Sequence, residues 1–340
     1  MKAAYLNKIN SPLIISDSIK FNKLEYGQVL IKIYYTGICK SQIFEIYNGR
    51  NNKKYIPHLL GHEATGIVID KHKSVKKVKK KDRVILTWLK CKGIQSKNPI
   101  YYDNSKKINS GSVTTFSTIS IVSENRLLKL PKDISLRKGV ILGCAFPTGA
   151  GMIINYIKKP TNKKIAFVGL GGVGVSALLA SFNLDFKEIY CFELNQKKKN
   201  FLRNNIKSKT KIIYSSIDKK KVKKYENYFD FVIENSGSVN GIQDGFKMLK
   251  NNGIMIFGSH PHKNKKIKLD PFDFIKGKKI YGSWGGGLDY EKNCNRIFKI
   301  FRSIKNFDRL FNQNIYSLDN INNAIRDLKS SKIVRPIVKL

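Results

Sequence analysis

The chain has 340 residues, of which 41% are hydrophobic and 26% charged, and its formal net charge is +40. That length exceeds what one core normally carries, so two domains are expected, and the apolar content excludes a disordered chain. No apolar run reaches the roughly 18 residues of a membrane span. Positive charge attracts nucleic acid and anionic membranes. Here, however, Lys greatly outnumbers Arg and is scattered along the whole chain, whereas phosphate and base readers rely on Arg forks and reading modules. The densest runs, Lys71 to Lys81 and Lys219 to Lys224, lie between apolar segments, where solvated turns are expected. No specific nucleic-acid partner is expected, only weak nonspecific binding at low salt.

Met1 to Leu6 lacks the apolar core and cleavage site of a signal peptide and reads as a first strand. The cytoplasm is the expected location. Residues 1 to about 130 are rich in short β-prone runs, among them Val29–Tyr35, Gly66–Ile69 and Arg83–Leu86, separated by Gly, Asn and Lys clusters. After Gly143 the rhythm changes. Strands are predicted at Lys164–Val168, Glu188–Phe192, Phe229–Ile233 and Gly253–Phe257, with helices at Val175–Phe182 and Gln196–Asn205. Short apolar strands alternating with helices imply a parallel sheet covered on both faces. The last fifty residues or so return to mixed structure, ending in a β-prone Ile333–Val338.

Gly169-Leu170-Gly171-Gly172-Val173-Gly174 follows an apolar strand and opens a helix, the context that makes G-x-G-x-x-G a dinucleotide signature. Gly169 would allow the tight turn, Gly171 the approach of backbone to pyrophosphate, and Gly174 close helix–strand packing, with Gly172 at the helix start. Glu193 lies 19 residues after Gly174, at the end of the next strand. There its carboxylate would bind ribose hydroxyls and repel a 2′-phosphate, which favours NAD over NADP. Lys197, Lys198 and Lys199 stand close by, and Lys198 is counted among the cofactor-binding candidates. One of these lysines could reach a 2′-phosphate.

The five cysteines, at 39, 91, 144, 191 and 294, are odd in number and irregularly spaced, a poor disulfide framework that points to a reducing compartment. Cys39, His62 and Cys144 each follow a glycine closely, in Gly37-Ile38-Cys39, Gly61-His62-Glu63 and Gly143-Cys144. Two thiolates, one imidazole and an open position form a known catalytic zinc arrangement. Taken singly, each residue would more often be an ordinary core group. Cys191 and Cys294 read as packing residues, and His260 and His262 as loop residues.

Taken together, the Gly-Ile-Cys, Gly-His-Glu and Lys-Lys-Asp-Arg-Val segments, Cys144 to Gly149, the glycine loop and Gly282-Ser283-Trp284-Gly285-Gly286 resemble the zinc-containing medium-chain dehydrogenase/reductase superfamily over nearly the full length. The resemblance implies an α/β two-domain fold. A GroES-like, mostly β catalytic domain would take 1–146 with 287–340, and a doubly wound Rossmann domain 147–286. It implies one catalytic zinc on Cys39, His62 and Cys144, with Glu63 behind the metal and Ser41 bonding the substrate alcohol and relaying its proton. It also implies Thr148 beside the nicotinamide, Lys40 and Arg335 on the pyrophosphate, and a homodimer, with a tetramer as the alternative. The reaction implied is hydride transfer between an alcohol or polyol and NAD, in either direction. Three departures from the family stand out. The lobe after Trp88 is short and offers only Cys91, so no structural zinc is expected. Phe44 stands where some members end a proton relay with His, and Gln42 replaces a frequent acidic residue near the metal. Tyr47, Trp88 and Trp284 are candidates for an apolar substrate channel, with core packing the alternative. A zinc-free quinone or enal reductase and a non-catalytic basic nucleic-acid-binding protein are the competing readings.

Overall fold

A computed structural model describes residues 1–47, 55–262, 264–311 and 314–340. The chain divides into two compact units: Met1–Cys144 with Asp289–Cys294 and Phe307–Leu340, and Ala145–Leu288 with Asn295–Asn306.

The first unit is mostly β. Its main sheet is seven-stranded and runs Leu127–Lys129, Arg83–Thr87, Glu63–Lys71, Gln28–Gly37, Ile337–Lys339, Ile315–Ser317, with Ile119–Ser123 also paired to Gln28–Gly37. Long antiparallel pairings hold its centre, and the C-terminal strand enters beside the N-terminal half, with Ile337 opposite Gly37 and Val338 opposite Thr36. The C-terminal strand is shorter than read: residues 333–335 form bends, Pro336 accepts one backbone hydrogen bond from Ile38 N, and the strand itself is Ile337–Lys339. Val29, Ile31, Ile33, Ala64, Val68, Val84 and Leu86 supply one core of this unit. A second core gathers Leu6, Ile38, Ile46, Leu60 and Phe116 with the helix residues Ile321, Ala324, Ile325 and Leu328. Alternation along Ile321–Lys329, apolar inward and polar outward, is what lets that helix cover the sheet.

The second unit holds a six-stranded parallel sheet in the order Ile212–Ser215, Glu188–Phe192, Lys164–Val168, Phe229–Glu234, Leu249–Phe257, Lys279–Gly282. Numbered by appearance in the chain, this is 3-2-1-4-5-6, the doubly wound arrangement whose switch point lies beside the first strand. Lys164–Val168 and Glu188–Phe192 are buried over four of five residues in an unbroken run, as strands covered on both faces must be. Strand Lys164–Val168, strand Glu188–Phe192 and helix Gln196–Asn205 fall where the apolar and polar patterns place them.

Candidate active site

In the first unit, sequence-distant elements deliver three ligand atoms to one place. Cys39 follows strand Gln28–Gly37 and precedes helix Lys40–Ile46; His62 directly precedes strand Glu63–Lys71; Cys144 follows the short helical turn Val140–Gly143. Their sulfur and ring-nitrogen atoms lie within 4.8 Å of one another. The glycines beside them are required by close approach. A Cβ at Gly37 would sit 2.3 Å from Glu63 Oε1, and one at Gly143 would sit 2.4 Å from the carbonyl of Leu86.

The electrostatics are those of a metal-binding thiol pair. A hydrogen bond from Cys144 holds Cys39 well below the ordinary thiol range against the opposing effect of burial, with Arg335 and His62 adding to the lowering. The same bond, together with burial, pushes Cys144 well above it. His62 Nε2 is 3.3 Å from Cys144 Sγ, close to the roughly 3.5 Å that separates imidazole nitrogen and thiolate around one tetrahedral zinc with ordinary bond lengths. The Ser41 hydroxyl oxygen, two residues from Cys39, is buried and makes no hydrogen bond among the described residues. Soft donors at ligand spacing beside an unmatched hydroxyl fit a zinc centre with an oxygen-bearing substrate.

Behind the ligands, Glu63 is fully buried and Glu63 Oε1 accepts a 2.6 Å hydrogen bond from Arg335 Nε, also buried. Burial works against the Arg335 charge, and Cys39, Glu63 and Cys144 overcome it, holding the guanidinium firmly protonated. Glu63 Oε2 and Arg335 Nη2 make no further bond among the described residues. Sequence reasoning treated Glu63 and Arg335 separately; the fold couples them. Gln42 accepts from the Gly61 backbone N–H at 2.5 Å and meets His62 Nδ1 at 2.9 Å, so it orients the ring. That role had no signal beyond the departure from the family pattern. Lys40 is exposed at the start of its helix.

In the second unit, Gly169 has φ +84° and Gly171 lies in extended backbone before helix Gly172–Ser181. Glu193 is buried at the neighbouring strand end. Its Oε2 accepts from Leu170 N at 3.1 Å and from Lys198 Nζ at 2.6 Å, and its Oε1 accepts from Asn195 N at 3.0 Å. Lys198 is thus paired with the acidic residue rather than held out toward a phosphate. Asn195 also caps the helix that carries Lys198. Thr148 Oγ1, Asn235 Oδ1 and Ser283 Oγ are buried and make no hydrogen bond among the described residues. Trp284 is 69% exposed and packs edge-on against His260, so it is not a core residue. In the first unit Trp88 stands edge-on to His62 at 6.4 Å between ring centres. Tyr47 carries Lys329 Nζ 3.6 Å over its ring.

Residues 25–132 match the alcohol dehydrogenase GroES-like domain. The chain is 26% identical to alcohol dehydrogenase 6 of Peromyscus maniculatus, covering 99% of this chain and 97% of that protein. The identity to the alcohol dehydrogenase class-2 isozyme 2 of Oryctolagus cuniculus is 25%, covering 99% and 97%. The domain that matches and the curated relatives alike are those of alcohol dehydrogenases. Solved structures share its fold. An alcohol dehydrogenase zinc-binding domain protein from Burkholderia ambifaria matches with a TM-score of 0.88 at 22% identity, over 100% of this chain and 98% of that one. A benzyl alcohol dehydrogenase from Acinetobacter calcoaceticus matches with a TM-score of 0.85 at 22% identity, over 100% and 99%. The two-domain reading of the sequence, a GroES-like β domain plus a Rossmann domain, agrees with the matched domain and with these solved folds.

Proposed function

We propose that this protein is a zinc-dependent oxidoreductase of the alcohol dehydrogenase type that moves hydride between an alcohol or polyol, or the matching aldehyde or ketone, and NAD(H). The observation that carries the reading is the meeting of Cys39, His62 and Cys144 within 4.8 Å, a donor set that a zinc-free quinone or enal reductase has no use for. When bound, zinc supplies Lewis-acid polarisation of the substrate oxygen and the nicotinamide supplies or accepts hydride.

The chain's own residues do the rest. Cys39, His62 and Cys144 hold the metal and leave a fourth position to substrate. The Ser41 hydroxyl takes the proton of the substrate alcohol. Phe44 cannot pass that proton on, so the relay leaves through the cofactor ribose or through water. Glu63, held by Arg335, keeps a carboxylate behind the ligands. The glycine loop and the start of helix Gly172–Ser181 receive the pyrophosphate, with Lys40 and Arg335 as its basic partners. Glu193 takes the adenosine ribose hydroxyls, a preference for NAD, and Lys198 steadies its carboxylate. Thr148 stands beside the nicotinamide.

Metal analysis is expected to give about one zinc per chain. Cys144→Ala is expected to lose zinc and turnover while keeping NAD(H) affinity. Turnover that survives this substitution would point to the zinc-free reductase instead. Titration with both dinucleotides tests Glu193: NADP(H) binding more tightly than NAD(H) would refute its assignment. An odd number of cysteines at irregular spacing supports a reducing, cytoplasmic setting. No single helix among the described residues is long and apolar enough to cross a membrane.

A homodimer is part of the same reading. It is supported by exposed Phe272, Ile275, Tyr281 and Trp284 on and beside Lys279–Gly282, the outermost strand of the parallel sheet.

A further inference from the structure

The hydrogen bonds around Gln42 have a fixed direction. A backbone N–H can only donate, so the 2.5 Å contact from Gly61 N places the oxygen of the Gln42 amide toward Gly61. The amide NH₂ then faces His62 Nδ1 at 2.9 Å. Two donors cannot share that contact, so Nδ1 accepts, and the neutral ring carries its proton on Nε2. Nε2 is the atom 3.3 Å from Cys144 Sγ, on the side of the ligand cluster.

A metal bound there needs the Nε2 lone pair. The ring proton must then sit on Nδ1, where it would meet the N–H of the Gln42 amide. Turning the amide by half a rotation satisfies Nδ1–H but sets NH₂ against Gly61 N–H. The loop cannot easily step aside. Gly61 has φ +87°, and a Cβ there would lie 2.3 Å from Thr115 Oγ1, so its surroundings are tight. Gln42 is only 3% exposed, and its single oxygen cannot be replaced by bulk water as acceptor. A carboxylate of the same length has two oxygens and would serve both donors.

We propose that Gln42 is a positioning residue that aims His62 at the metal yet leaves the centre one hydrogen-bond acceptor short. Metal uptake must therefore move the ring proton from Nε2 to Nδ1 and turn the amide. The inference rests on the zinc reading above and goes beyond it by assigning this chain a weakened, tautomer-gated centre.

The test uses the full chain, stripped of metal by chelator and then titrated with zinc. In protein labelled with ¹⁵N-histidine, long-range ¹H–¹⁵N correlation is expected to show His62 protonated on Nε2 without metal and on Nδ1 with zinc. The same tautomer in both states overturns the inference. In competition with a chromophoric chelator, Gln42→Glu is expected to bind zinc about 10-fold more tightly than the parent or better, the scale on which such outer partners act. Equal or weaker binding by a folded Gln42→Glu protein overturns it. If circular dichroism shows that this variant does not fold, the tautomer measurement on the parent decides alone. Zinc uptake without a change of tautomer defeats this inference and leaves the zinc reading standing. Failure of both parent and variant to take up zinc defeats the zinc reading, and this inference with it.

Discussion

Gly171 and Gly174 sit three residues apart, one just before helix Gly172–Ser181 and one inside it, and a methyl group would mean different things at each. A Cβ at Gly171 would meet nothing within 4 Å, whereas one at Gly174 would lie 2.1 Å from the Gly169 carbonyl oxygen. The backbone at Gly171 is extended, with φ −76° and ψ −173°, open to any residue. Gly171→Ala is therefore expected to leave stability within about 0.5 kcal/mol of the parent. On the proposed cofactor reading it should cost dinucleotide affinity at least about 10-fold, because its methyl would stand where the pyrophosphate approaches. Gly174→Ala is expected to destabilise the protein by roughly 1–3 kcal/mol through overpacking. Urea melts and NADH fluorescence titration separate the two, and a large stability loss in Gly171→Ala would contradict the assignment. At this scale much was legible in the sequence. Glycines before ligands and at the phosphate loop are signs of close approach that survive in one dimension. The partners of Gln42 and Lys198 were not legible, since a polar side chain's choice of partner is settled by separations of less than an ångström.

Between strand Arg83–Thr87 and Tyr101 the chain has little regular structure, and two carboxylates hold its backbone, Glu291 at Lys92 N and Glu124 at Ile94 N. Glu124 is 3% exposed; its Oε1 accepts from Lys76 N and Lys77 N at 2.7 Å each, and its Oε2 accepts from Ile94 N at 2.8 Å. Burial raises its pKa, but the backbone N–H groups of Lys77, Ile94 and Lys76 outweigh that and leave it below the ordinary value. The lone thiol of this lobe, Cys91, is pushed up to about 11 by burial, which leaves it a poor metal ligand. Because the folded pKa of Glu124 is depressed, its stabilisation is fully present above the unfolded pKa of about 4.3. It is lost as pH falls through the folded pKa. Glu124→Gln is expected to cost about 1.5–3 kcal/mol at neutral pH, the range for hydrogen bonds to a charged group. The difference should shrink toward zero in acid. Urea denaturation across that range checks it, and a gap that ignores pH would mean the charge is irrelevant. Nothing in the sequence marked Glu124, because a carboxylate that gathers loop amides follows no periodic pattern.

The whole molecule must reconcile association with its charge. Two copies carrying +40 each repel over the Debye length, about 10 Å at 0.1 M salt and shorter above it. The exposed apolar residues Phe272, Ile275, Tyr281 and Trp284, with the outer side of strand Lys279–Gly282, which pairs with no strand among the described residues, favour pairing in the proposed dimer. Sedimentation is expected to show the dimer fraction rising between roughly 0.05 and 0.5 M salt. Replacing Ile275 and Tyr281 together by Lys should leave monomer throughout. Dissociation on adding salt would instead indicate an interface held by ion pairs.

The sequence alone determined two regimes of secondary structure, a phosphate loop after an apolar strand, and the three ligand residues with their glycines. These are local patterns, written in periodicity and in neighbours a few positions apart. Tertiary structure alone decided that Arg335 closes on Glu63 across 272 residues, and that the C-terminal strand returns to Gln28–Gly37. It also decided that Lys198 serves Glu193 and that Gln42 meets both Gly61 N and His62 Nδ1. In each case a buried polar or backbone group must find its one compatible partner, and only the folded chain brings the candidates within reach.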